Sequence, residues 1–139
     1  MDIASYEKDF VMWSEQQAQF LKEKKFESLD IDNIVDEIES LGKRDKFKIE
    51  CLLTRLFETK LKRKHTLKDE CYRGWDIEVV HLEAEIKDLL DDSPSLCNYL
   101  HEISFECYKD ALRQVNIIYE FYDFSRGLDT EEIVNNLIA

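Results

Sequence analysis

The chain has 139 residues, with 31 acidic and 19 basic side chains and a formal net charge of -12. It contains only 3 glycines and 1 proline, whereas average usage would give roughly 17 of the two together, which argues against a sandwich or barrel with many turns. Helices joined by few short connections fit this composition, so we predict an all-α fold, a compact bundle of five to six helices with a long C-terminal helix. A chain of this length can bury a core without a metal or disulfide. We therefore expect a single helical domain over residues 1–139 and no cofactor.

The first predicted helix covers about residues 5–23. Apolar side chains recur there every three and four residues, which is the spacing of one buried helix face. Asp2 or Ser5 can supply the N-cap. The expected buried face consists of Tyr6, Phe10, Trp13, Gln17 and Phe20.

Two further helices are predicted between residues 30 and 64. Leu29 and Asp30 have the character of an N′ residue and an N-cap for a short helix that ends near Gly42. Gly42 is either the stop of that helix or a kink. The next helix, over about 43–64, spreads its apolar residues over about 180° of its circumference and is therefore expected to be central. These apolar residues are Ile49, Leu52, Leu53, Leu56, Phe57 and Leu61.

The second half of the chain predicts two long helices and a short one. The fourth helix follows a connection over 65–74 and ends before Ser93. Ser93 and Pro94 have the character of the N-cap and the first helical residue of the next helix. The fifth helix is predicted to reach about Tyr122, with two adjacent apolar stripes that cover roughly 200°. Either this helix is central or its second stripe meets another chain. The short terminal helix, over 129–139, is expected at the periphery.

The sequence lacks the common catalytic and nucleotide-binding motifs. Its glycines are too far apart for a phosphate-binding loop, and no nucleophile elbow, zinc-protease motif or paired Cys-x-x-Cys occurs. Glu78 and His81 form one Glu-x-x-His copy where a di-iron site needs two, and Cys97 with His101 lacks a second pair of ligands. The four cysteines are expected to be reduced thiols. We predict no metal site, and the balance of these observations is against an enzyme.

Basic side chains are concentrated in residues 43–68. This segment carries 10 basic and 3 acidic residues, a balance of +7, against -19 for the remaining chain. Arg44, Lys48, Arg55 and Lys62 project within about 40° of one another and form a basic stripe about 27 Å long. The stripe suggests binding of nucleic acid or a phosphate ligand, which the net charge of -12 opposes.

The alternative interpretation of the basic stripe is pairing within the chain. Acidic residues recur every seven positions on the fourth helix, as the basic residues do on the third. If these helices form an antiparallel hairpin centred on residue 70, exposed ion pairs worth about 0–1 kcal/mol each would result. The expected pairs are Lys62–Glu78, Arg55–Glu85 and Lys48–Asp92.

Five sequence blocks occur in a characteristic order. They are YEKDFVMW at 6–13, LD at 29–30, EIESLG at 37–42, RGW at 73–75 and IKDLLDDSPSL at 86–96. On these blocks the chain resembles, over about residues 6–120, a bacterial family of small helical proteins catalogued as domain of unknown function number twenty-nine. The resemblance implies an all-helical fold and no established activity. The chain departs from the family pattern at 59–63 and 125–139.

Five residues that match the family pattern are candidates for a shared pocket. They are Asp9, Trp13, Asp30, Glu37 and Trp75. In the alternative interpretation the tryptophans pack and the carboxylates cap helices. An enzymatic function would have to rest on this set, because no other catalytic constellation is present.

Together these features predict a cytoplasmic, non-enzymatic helical domain that acts through protein contacts, as a homodimer or as an acidic partner of another protein. The second stripe of the fifth helix provides the candidate interface residues Phe105, Leu112 and Tyr119. No apolar run of about 18 residues and no signal-peptide pattern occurs, so we expect no membrane association. The alternative function is binding of nucleic acid or a phosphate ligand through residues 43–68.

Overall fold

The computed structural model describes residues 3–139, which form five α-helices and no strand. The helices are α1 Phe10–Lys22, α2 Ile31–His65, α3 Asp69–Asp92, α4 Leu96–Ile118 and α5 Thr130–Ile138, with a short 3-10 helix at Phe26–Ser28. The predicted all-α fold is confirmed. The long helix predicted in the C-terminal part is α4, whereas α5 has only 9 residues. The chain therefore does not end in a long helix.

The chain divides into two compact units, one up to Lys43 and one from Arg44 to Ala139. The first unit contains α1, the 3-10 helix and the start of α2. The second contains the rest of α2 together with α3, α4 and α5. The single domain expected over 1–139 stays a prediction.

α1 is shorter than predicted because its N-cap is Asp9 rather than Ser5. The Asp9 carboxylate accepts a hydrogen bond from the backbone N–H of Met12 at 3.0 Å, which satisfies a donor that the first turn leaves free. The other predicted cap, Asp2, lies outside the described residues. Of the predicted buried face, the structure buries Trp13 and Gln17, half-buries Tyr6 and Phe20, and exposes Phe10.

α2 is one continuous helix where the sequence predicts two. It begins after Asp30, whose backbone carbonyl accepts the N–H of Ile34 at 3.0 Å, so Asp30 stands at the predicted N-cap position. Gly42 does not end the helix. A glycine inside a helix costs only about 1 kcal/mol relative to alanine, and the fully buried apolar residues further along the same helix outweigh that cost.

The core of the second unit is built on α2. The apolar residues predicted for this part of the helix are all buried, and five of them are 0% exposed. They pack with apolar residues of the three other helices of the unit. The principal partners are Leu82, Ile86 and Leu90 of α3, Leu100, Ala111 and Val115 of α4, and Val134 and Leu137 of α5.

α3 and α4 run in opposite directions along α2. As α2 advances, its contacts fall on earlier residues of α3 but on later residues of α4, so α3 is antiparallel and α4 parallel to it. The contacts that define these directions are Arg55–Glu78, Arg63–Asp76, Lys46–Tyr99 and Phe57–Tyr108.

The segment before α5 folds back over the end of α2. Gly127 has a φ of 58°, a left-handed conformation that glycine adopts without a Cβ penalty. Its carbonyl accepts a hydrogen bond from the ammonium of Lys64 at 3.2 Å. The Tyr108 hydroxyl accepts the backbone N–H of Leu128, also at 3.2 Å. α5 then packs against α3 and α4.

Substitutions of two glycines should change stability in opposite directions. Gly74 lies inside α3, and a Cβ there would meet nothing within 4 Å, so we expect Gly74→Ala to raise the free energy of unfolding by about 0.5–1 kcal/mol. A Cβ at Gly127 would meet the Tyr108 hydroxyl at a positive φ, so Gly127→Ala should lower it by about 1–3 kcal/mol. Urea unfolding followed by circular dichroism measures both, and changes of the same sign would contradict this account.

Candidate functional site

Asp30 is the centre of a polar cluster in the first unit. Its Oδ2 accepts the indole N–H of Trp13 at 3.0 Å and the side-chain amide of Asn33 at 2.8 Å. Its backbone N–H donates to Oε1 of Gln17 at 2.8 Å. The hydrogen bond from Asn33, assisted by that from Trp13, lowers the pKa of the Asp30 carboxyl. These bonds tie the start of α2 to α1.

Tyr6 extends this cluster to Glu37. The Tyr6 hydroxyl donates to the Glu37 carboxylate, and this bond is the main cause of the raised pKa of Tyr6. The Tyr6 ring lies edge-on to the Trp13 ring, with 4.7 Å between the centroids, and contacts the Phe10 ring at 5.7 Å. The side chains of Tyr6, Trp13, Asp30 and Glu37 therefore form one connected cluster.

Four of the five residues predicted to share a pocket belong to the first unit. The structure brings Trp13, Asp30 and Glu37 together, while Asp9 is exposed and caps α1. Trp75 belongs to the second unit, where it is buried and packs against aromatic rings of that unit. All three carboxylates accept hydrogen bonds that hold the chain in place. A shared pocket for these residues stays a prediction.

Three members of the cluster do not belong to the predicted set. They are Tyr6, Gln17 and Asn33. The spacing of Asn33 from the N-cap Asp30 is that of a capping interaction, so this member could have been found in the sequence. Gln17 is assigned to the buried face of α1 by periodicity, but no local signal connects it to a backbone N–H 13 residues away.

Side chains of α3 engage two cations of the basic stripe. The Arg55 guanidinium donates to the Glu78 carboxylate at 3.1 Å, and the Lys62 ammonium lies 5.4 Å from the centroid of the Trp75 ring, within the range of a cation–π contact. The other members of the stripe, which are exposed, are Arg44 and Lys48. Binding of nucleic acid or a phosphate ligand by residues 43–68 stays a prediction.

The predicted ladder of ion pairs has the wrong register. Arg55 pairs with Glu78 rather than with Glu85. The prediction assumes a long connection over 65–74, but only three residues separate α2 from α3. The contact of Arg55 is therefore centred near residue 67, and Arg55 meets an earlier part of α3 than predicted. Because both side chains of the observed pair are about one-third exposed or more, it contributes only about 0–1 kcal/mol.

The candidate interface on α4 is largely used inside the second unit. Leu112 and Tyr119 are half-buried and pack against the core, and the Tyr119 ring lies edge-on to Trp75 at 6.4 Å. Phe105 is 64% exposed. The wide apolar surface of α4 therefore reflects its central position, and Phe105 alone of the three candidates remains available at the surface.

An apolar surface of the first unit lies along the start of α2. Ile31, Val35 and Ile38, which project within about 60° of one another, are exposed and form what we call the outer α2 face. The opposite side of this helix turns Asn33 and Glu37 towards the polar cluster.

The comparisons with known proteins concern nearly the whole chain. A sequence model of the family described as "Domain of unknown function DUF29" matches residues 5–134. No curated protein and no solved structure matches the chain. In the part of the chain that the structure describes, no helix is long and apolar enough to cross a membrane. Within residues 3–139, no group of three or more His, Cys, Asp or Glu side chains is arranged to hold a metal ion.

The indole N–H resonance of Trp13 should report the ionisation of Asp30. Because the pKa of this carboxyl is lowered in the folded chain, its stabilising contribution is complete above the ordinary value of about 3.9 and declines as the pH falls through the lowered pKa. We expect the Trp13 resonance to titrate with a midpoint below about 3.9.

Two variants make this titration specific. Asp30→Asn should abolish the shift of the Trp13 resonance, whereas Asp36→Asn, which removes an exposed carboxylate from the same helix, should preserve it. The Trp75 resonance, assigned with Trp75→Phe, provides an internal reference. A midpoint at or above the ordinary value, or a shift that survives Asp30→Asn, would contradict the assignment.

Proposed function

The chain belongs to the DUF29 family, a domain family of unknown function, and from this starting point we propose that it is a protein-interaction module that forms a homodimer through the outer α2 face. The observation that carries the proposal is the exposure of Ile31, Val35 and Ile38, at 59%, 44% and 64%. A contiguous group of exposed apolar side chains is typical of an interaction surface. A cytoplasmic location remains a prediction of the sequence.

The small core of the first unit supports the proposal. Among residues 3–43, the buried residues are Trp13 and Gln17. Units of about 40 residues rarely bury enough apolar surface to be stable without disulfides, metals or oligomerisation. Covering the outer α2 face would provide additional burial, at roughly 25 cal/mol per Å² of apolar surface.

The sequence of α2 is self-complementary about Ile38, which favours a second copy as the occupant. If two copies of α2 cross antiparallel with a two-fold axis at Ile38, Val35 of each copy lies opposite Leu41 of the other. An isologous interface needs this kind of self-complementarity. A parallel pair would instead align the acidic residues of the two copies.

Light scattering coupled to size exclusion tests the dimer directly. We expect a mass of twice the 16.6 kDa of one chain, falling to one chain on dilution. Ile38→Asp should give a monomer, because it places two carboxylates at the two-fold axis. Val80→Asp is the matched control, since Val80 is similarly exposed, at 62%, but lies on α3. A monomer at all concentrations, or equal effects of the two variants, would contradict the proposal.

A further inference from the structure

A groove lies between α2 and α4 in the second unit. It has a volume of about 570 Å³ and is lined by five residues from each helix. These residues recur every three or four positions over 47–55 of α2 and 102–110 of α4. Each helix therefore contributes about 12 Å of its length, or two turns. A groove of this kind between two packed helices is a surface on which a third helix can pack.

Contacts within the second unit cover the surfaces between its other helices. α5 packs against both α3 and α4. Between α2 and α3, the surface is bridged by the Arg55–Glu78 and Arg63–Asp76 ion pairs and by Lys62 over an indole ring. The groove between α2 and α4 is open at the surface of the unit.

The floor of the groove is apolar. Phe47 is 66% exposed and Ile103 is half-buried, so both present apolar surface to an incoming ligand. Cys107 is buried beneath them, and its thiol donates to the backbone carbonyl of Glu50 at 3.6 Å. Burial raises the pKa of this thiol, which keeps it neutral. Cys51, which also lines the groove, is exposed.

The rim of the groove is acidic. Four carboxylates line it, those of Glu50, Glu102, Glu106 and Asp110, against a single cation, Arg55. Arg55 is itself paired with a carboxylate of α3. The Glu50 carboxylate accepts the hydroxyl of a tyrosine of α4, whose pKa is raised to about 12 mainly by this bond. This bond holds the Glu50 carboxylate in place at the rim.

Neighbouring cations only partly balance this rim. Lys109 pairs with Glu106 at 2.9 Å and Arg113 with Asp110 at 3.1 Å. All four side chains are 46–70% exposed, and such pairs along a helix surface contribute only about 0.3–0.5 kcal/mol. Lys46, near one end of the groove, lies over an aromatic ring of α4. An incoming cation can replace the exposed pairs at little cost.

We propose that this groove binds an amphipathic helix of a partner protein, with apolar residues on one face and Lys or Arg on both flanks. The apolar face would pack on Phe47 and Ile103, and the flanking cations would meet Glu102 and Glu106. Two turns of groove accommodate two apolar anchors spaced by four residues. The acidic rim repels nucleic acid and anionic lipid surfaces. The proposal does not depend on the homodimer, because the groove uses other residues.

A designed peptide tests the chemistry of the occupant. The probe is a fluorescein-labelled helical peptide of about 14 residues, with leucines every three or four positions and lysines on both flanks. Fluorescence anisotropy should give a dissociation constant of about 1–50 µM, which weakens with increasing salt. A glutamate-for-lysine peptide and a scrambled peptide of the same composition should bind at least tenfold more weakly. Equal binding of the basic peptide and the scrambled one, or no binding of either, would overturn the proposal.

Variants of the chain locate the site. Phe47→Ala should weaken binding at least fivefold, whereas Phe105→Ala, on an exposed phenylalanine of α4 that does not line the groove, should have no effect. Glu102→Lys with Glu106→Lys should abolish binding of the basic peptide and permit binding of the glutamate peptide. Both phenylalanines are well exposed, so these variants should fold. Equal effects of Phe47→Ala and Phe105→Ala would overturn the assignment.

The monomeric variant separates this proposal from the homodimer. Ile38→Asp should bind the basic peptide with unchanged affinity, because Ile38 does not line the groove. If the unmodified chain proves monomeric but binds the peptide, only the homodimer is wrong. If Ile38→Asp loses peptide binding while Phe47→Ala keeps it, the peptide binds elsewhere and the groove is not its site.

Discussion

The second unit depends on the burial of one half of α2 from two sides. Ile49, Leu53, Leu56, Phe57 and Leu61 have no exposed surface, and together with the buried Leu52 they extend over about half of the helix circumference. One neighbouring helix cannot cover a surface of this width. α3 and α4 therefore pack on α2 from different directions, and α5 completes the unit against both of them. Because the apolar spacing that requires this arrangement is local, the core could be predicted from the sequence.

Features that depend on more than local spacing could not be predicted. The continuity of α2 through Gly42 depends on packing further along the helix, which the cost of a single glycine does not reveal. The partner of Arg55 depends on the length of the connection between α2 and α3. An error of a few residues in this length changes the predicted pairing between the two helices. In the candidate site, the tryptophan and the carboxylates carry a recognisable pattern. The bond between Tyr6 and Glu37 spans 31 residues and leaves no pattern in the sequence.

In the second unit, basic and acidic side chains lie on different sides of α2, which the net charge of the chain does not show. Arg55, Lys62 and Arg63 reach towards acidic and aromatic side chains of α3, whereas the side that faces α4 has a carboxylate rim above an apolar floor. Three cations of α2 are thus used within the unit, while most carboxylates of the rim come from α4. This arrangement reconciles the basic segment of the sequence with an overall charge of -12 and favours a cationic partner over a polyanion.

The groove between α2 and α4 has a further consequence if two copies of the chain associate. Each dimer would then display two identical grooves, and it would be bivalent towards any partner that carries two basic helices. The second binding event would be intramolecular, with an effective concentration in the millimolar range for a short flexible linker. Weak individual contacts could in this way give tight and cooperative capture of repeated sequences. Selectivity would reside in the spacing of the partner's helices as much as in their composition.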